Sequence, residues 1–137
     1  MLGDKIGEAS GKITNVRVLD HAGAASRIEV SFQGQGSVGS VAITDIGSYW
    51  QEFRGSGFYG EGGPLLMSAD GDLLSWKGFG AGRPTGPGFA ANFAVCGVIQ
   101  TSSTKFSHLD GVAAVGEYDT QENGDYHWTL WEWKPKA

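Results

Sequence analysis

The chain has a single cysteine, Cys96, so no internal disulfide can staple it. That cysteine lies in the apolar run FAVCGVI, where a small buried side chain is expected. A reactive thiol needs a basic, part-exposed setting. Positive charge is also scarce: 10 Lys and Arg against 15 Asp and Glu, for a net charge of −5. The basic residues form no stripe, which argues against a nucleic-acid partner. No run of 18 apolar residues exists, so no membrane-spanning helix and no membrane partner is expected. MLGDKIGEAS has no apolar stretch of the secretory type, and a cytoplasmic location is the expectation. Proline is rare, at 4 residues, while glycine reaches 23 without a collagen period. Glycine at that density suits tight turns, bulges and close packing in a sheet protein.

Helical periodicity is missing as well. No segment keeps apolar residues at i, i+3, i+4 and i+7 for three turns. Short alternating stretches take its place. GKITNVRVLD (11–20) reads as a strand, and RIEVSFQGQG (27–36) alternates Ile28, Val30 and Phe32 against Arg27, Glu29 and Ser31. SVGSVAITDIG (37–47) follows a glycine turn, and SYWQEFR (48–54) is a short strand or strap. LLMS and LLSWKGFG flank the Asp-Gly turn of ADGD (69–72). AGRPTGPG (81–88) is a loop by composition. FAANFAVCGVIQTSS (89–103) is so apolar that both its faces should be buried. VAAVGEYDT (112–120) and YHWTLWEWK (126–134) flank the Asn-Gly signal of QENGD (121–125).

Short connections make antiparallel neighbours, and a long twisted meander curls until it closes. The expected fold is a single all-β domain over residues 1–137, an antiparallel barrel of about eight strands. A two-sheet sandwich is the alternative. In the last strand Tyr126, Trp128, Leu130 and Glu132 share one face, and His127, Thr129, Trp131 and Trp133 the other. One face fills the barrel. The other exposes large aromatics unless the N-terminal segment, the 81–88 loop or a second copy covers them, so a homo-oligomer, dimer or trimer, is expected.

No Walker loop, HExxH, CxxC or GxSxG motif is present. His21, His108 and His127 lack ligand spacing, and neither a metal nor any cofactor is expected. The chemistry left is a carboxylate inside an aromatic barrel. Glu132, on the Trp128 and Leu130 face, and Glu117, on the Ala113 and Val115 face, are the candidate acid or base groups. Burial in an apolar lumen would raise either pKa. The plainer reading puts Glu132 at a strand end in water and Glu117 on the surface. Trp128, Leu130 and Phe93 are candidate lumen walls. Tyr49, Trp50 and Arg54 would cap a mouth, with Tyr59 and Glu61 on its rim, and Arg83 would anchor an anion. For each of these a packing or surface role is the plainer one.

GKITNVRVL followed by IEVSFQGQG, and later VIQTSSTKFSHLDGVAAVGEYDTQENGDYHWTLWEWK, resemble a group of short uncharacterised bacterial and archaeal proteins. The segment LDGVAAVGEY is similar, more distantly, to the loop-to-strand segment of allene oxide cyclase-like and dirigent-like barrels. The resemblance implies an eight-stranded antiparallel barrel, commonly oligomeric, whose lumen takes small apolar molecules. It transfers no catalytic residue to a position in this chain. Two functions follow. One is a small hydrophobic ligand bound in the lumen, with a cyclase or isomerase activity as its extension. The other is a non-enzymatic structural or interaction module acting as a homo-oligomer.

Overall fold

Period-two alternation sets the architecture. Val30, Phe32 and Val38 are buried along one strand while Arg27 and Gln33 are exposed. Each strand must therefore turn one face to a shared interior. The computed structural model, which describes residues 1–136, shows eight strands: β1 (Leu2–Asp20), β2 (Arg27–Val38), β3 (Val41–Arg54), β4 (Gly57–Ser68), β5 (Leu73–Pro84), β6 (Ala91–Gln100), β7 (Ala113–Thr120) and β8 (Asp125–Trp133). They form a closed barrel in meander order, every neighbouring pair antiparallel. The seam is β1 against β8, with Leu2 opposite Trp133 and Lys12 opposite Asp125. The backbone of Lys134 continues it by donating to the Met1 carbonyl. Among the described residues no helix is long and apolar enough to cross a membrane.

The expected barrel is the observed one, with shifted strand ends. β1 starts at Leu2 and not at Gly11. The glycine turn lies at Gly39, φ +58°, and not ahead of Ser37. Gly34 and Gly36 stay in β2 because β1 passes close by: a Cβ on Gly36 would lie 1.9 Å from the Glu8 carbonyl oxygen. Residues 48–54 continue β3 without a break, and 81–84 end β5, so the connection there shrinks to 85–90. β6 buries only one face: Ala91, Phe93 and Ile99 point inward, while Val98 is 46% exposed. Cys96 is half-buried on that outer face, opposite Phe79 and Val115, and is not a core residue.

Large lumen side chains pair with glycines on adjacent strands. Phe32 lies opposite Gly47, Phe93 opposite Gly82, Tyr49 opposite Gly62 and Leu130 opposite Gly116. A Cβ on Gly47 would come within 2.1 Å of the Phe32 ring. Glycine here is packing volume given to a neighbouring ring, which is how a narrow barrel accommodates so many aromatics.

The two ends differ. Residues 101–112 fold across one end, placing Phe106 (1% exposed) and Leu109 in the same buried cluster as Leu66, Leu74 and Ile99. Polar contacts fasten this plug. Ser103 Oγ donates to Asp72 at 2.7 Å, Thr101 Oγ1 to the Leu73 carbonyl at 2.6 Å, and the Thr101 amide to Asp110 at 3.0 Å. At the other end β1 outruns β8: residues beyond Lys12 pair with β2 while the β8 ladder stops. Val18 and Phe89 are exposed on this rim.

Candidate functional site

Residues of β2 to β8, most of them inward-facing, line a cavity of about 70 Å³ that extends to the outward-facing Glu61 and Phe79 of β4 and β5. Its walls include Phe32, Tyr49, Trp76, Phe93, Tyr118, Trp128 and Leu130, with Gly60, Gly62, Gly78 and Gly80 between them. The rings contact one another: Tyr49 and Tyr118 lie edge to face at 5.5 Å, Phe93 and Tyr118 at 5.5 Å, and Phe32 and Tyr49 at 6.0 Å. The hydroxyls of Tyr49 and Tyr118 share a hydrogen bond of 3.1 Å. Burial pushes the Tyr49 phenol up to about 12 and raises that of Tyr118 further, so both stay neutral.

Beside this chamber lies Asp45, fully buried. β3 places it inward because Ile43, Asp45, Gly47 and Tyr49 share one face. Its Oδ2 accepts two hydrogen bonds, from the Tyr126 hydroxyl at 2.6 Å and from Trp128 Nε1 at 2.8 Å. Its Oδ1 has no partner among the described residues. Burial raises the Asp45 pKa, against the lowering effect of the two donors. Trp128 belongs to both parts: its ring forms cavity wall and its N–H holds the carboxyl.

Five sequence candidates line the cavity: Tyr49, Phe93, Trp128 and Leu130 from inside, and Glu61, itself exposed, from β4. The others do not. Glu117 points away from the lumen, exposed between Ala94 and Thr129, because its parity is that of Ala113 and Val115 and not of Tyr118. Glu132 has lumen parity but sits opposite Ala114, half-buried near the strand end and away from the cavity wall. Trp50, Arg54 and Tyr59 cap no mouth; they form an outer lattice. Trp50 packs on Tyr59 at 5.6 Å, and the Arg27 and Arg54 guanidinium groups lie over Trp50 and Tyr59 at 4.8 and 4.3 Å. Glu52 links the two arginines, and its hydrogen bond to Arg54 holds its pKa below the usual range. Arg83 is exposed near the end of β5.

Asp45 escaped the sequence reading. Both faces of VAITDIGSYW carry apolar residues, so parity alone does not mark which side is inward. The usable signal is the continuation to Tyr49 and Gln51, which places a lone carboxylate in the buried register.

Solved structures share this fold. A conserved protein of unknown function from Rhodopseudomonas palustris superposes with a TM-score of 0.78 at 13% identity, over 96% of this chain and 97% of that one. A beta-barrel like protein from Acinetobacter baumannii gives 0.78 at 18% identity, over 98% and 96%. An enzyme from Penicillium herquei gives 0.66 at 17% identity, over 94% and 92%. At these identities the likeness is one of fold. No family model and no curated protein matches the sequence. The chain is a small β-barrel protein.

Proposed function

We propose that the protein binds a small hydrophobic molecule in its lumen, between Trp128, Leu130, Tyr49 and Phe93. The observation that carries this reading is the apolar cavity walled by aromatic rings. Apolar cavities take up apolar guests. At about 70 Å³ it is roughly half the size of the ~150 Å³ engineered cavity that admits benzene, so the guest is small or displaces a ring. The exposed apolar rim at Val18 and Phe89 supports entry from the unplugged end. The allene oxide cyclase-like resemblance favours a cyclase or isomerase extension, and an enzyme from Penicillium herquei shares the fold. In that extension Asp45 replaces Glu132 and Glu117 as the acid or base, because it is the buried carboxyl beside the chamber.

Titration of the folded protein with small apolar and amphipathic compounds, followed by tryptophan emission, tests the reading. Saturable quenching that Trp128→Phe abolishes, with the fold intact, supports it. Silence from every compound in a cooperatively folded protein sinks it.

A homo-oligomeric interaction module is the second reading. An outer row, Phe79, Cys96, Val115 and Trp131, runs across paired strands beside Val98 (46% exposed) and Trp133 (51% exposed). Sedimentation at micromolar concentration tests it, and a strict monomer removes it.

A further inference from the structure

We infer that Asp45 Oδ1 is the polar anchor of the lumen, and that it selects a small apolar carbonyl compound, a ketone or aldehyde, by donating a hydrogen bond to its oxygen. The inference rests on the lumen-binding reading and gives it a substrate class.

Three observations carry it. The carboxyl is fully buried, and Tyr126 and Trp128 occupy Oδ2 only. An oxygen accepting two hydrogen bonds has its lone pairs used, so in the neutral acid the proton lies on Oδ1. Oδ1 has no partner among the described residues. A buried polar group left unpaired is costly, and such orphans mark places where a partner binds. No Lys or Arg side chain bonds the carboxyl, and its two partners are neutral donors. With no cation to hold a negative charge in an aromatic interior, the neutral acid is the stable form. A neutral acid offers a donor, so the complementary ligand group is an acceptor. A cationic amine, the natural guest of a buried carboxylate anion, is disfavoured.

The geometry gives a route. Phe32 and Trp128 both form cavity wall, and both stand beside the carboxyl site: Trp128 through its hydrogen bond, Phe32 through its 5.1 Å edge contact with Tyr126. Asp45 is not itself in the cavity wall, so a guest reaches Oδ1 when one of these rings moves aside. Ring displacement at Trp128 makes its emission a reporter of the contact.

The test uses cyclopentanone, cyclopentane and cyclopentylamine, which share a ring size and differ in their polar group. The expected order in wild type is ketone about tenfold tighter than hydrocarbon, the worth of one buried hydrogen bond, with the amine weakest. Asp45→Asn keeps one acceptor and one donor in the same shape, so the ketone preference survives. Asp45→Leu abolishes the preference and leaves hydrocarbon binding. Should the leucine variant fail to fold, the wild type still answers: the infrared carbonyl stretch of bound 13C-cyclopentanone falls below its value in alkane, and Tyr118→Phe leaves that shift in place. Equal binding of ketone and hydrocarbon, or an unshifted carbonyl, overturns the anchor while the lumen reading stands. Preference for the amine overturns the acceptor assignment. A carbonyl shift lost in Tyr118→Phe moves the donor to the tyrosine pair and overturns Asp45. No binding of any of the three overturns both readings.

Discussion

The two ends of this barrel are made from similar hydrophobic material and do opposite things. At the plugged end, Phe106 and Leu109 are driven into the interior by a loop fastened through Thr101, Ser103, Lys105 and Asp110, and Asp72 alone accepts from Ser68, Ser103 and Lys105. At the rim, Val18 (51% exposed) and Phe89 (44% exposed) are left in solvent. The difference is in the connections. The β6–β7 connection is long enough to fold back and carries Ser, Thr and Asp to satisfy its own backbone. The connections at the rim, 21–26, 55–56, 85–90 and 121–124, are shorter. Sealing of the plugged end therefore depends on loop polar chemistry as much as on apolar content.

Breaking the plug is the most severe test of this contrast. Phe106→Ala should cost about 3–5 kcal/mol in chemical denaturation, as for other large core rings. Phe89→Ala at the rim should stay within about 0.5 kcal/mol. Equal losses would remove the distinction between the ends. Trp128→Phe, between the two, leaves Asp45 Oδ2 with one donor and should cost about 1–3 kcal/mol by the same measurement.

Acid tells the plug from the lumen. Bonds from Ser103 and Ser68 and the ammonium of Lys105 hold the Asp72 pKa below its usual value. Its contribution is present above pH 3.8 and is lost as pH falls through the lower folded value. Asp72→Asn should flatten that acid limb and speed amide exchange over 101–112. Asp45 has the opposite sign. Its folded pKa is raised, so its contribution is complete below 3.8 and declines as pH rises through the folded value. The titratable groups facing it, Tyr126 and beyond it Tyr118, stay neutral throughout, because burial raises both phenols. Asp45→Asn should abolish this decline, read as the difference in denaturation midpoint from wild type across pH 4 to 8. The smallest effect belongs to the rim surface: Val18→Ser should change stability by less than about 0.5 kcal/mol while weakening uptake of an apolar guest.

The barrel was legible in the alternation of β2 and β8 and in the two turn signals at Gly71 and Gly124, whose φ values of +86° and +93° suit glycine. The inward face of the last strand was legible too, since Tyr126, Trp128 and Leu130 alternate with His127 and Thr129. What did not read through was parity in mixed strands. Trp50 and Tyr59 are aromatic yet lie outside, because arginines cover their faces. Asp45 is charged in type yet lies inside, because donors from a strand 81 residues away receive it. Both depend on contacts across the barrel that no local pattern records.

The seam between β1 and β8 has a consequence for how the molecule is made. Leu2 meets Trp133, so the cylinder closes only when the last strand synthesised returns to the first. Until then two long edges, β1 and β7, stand open, and each is a template for the wrong partner. Such distant pairing is slow to form because the loop it closes is nearly the whole chain. The vulnerable moment in the life of this protein is thus the interval before closure, and strands freed from pairing then carry the risk of aggregation.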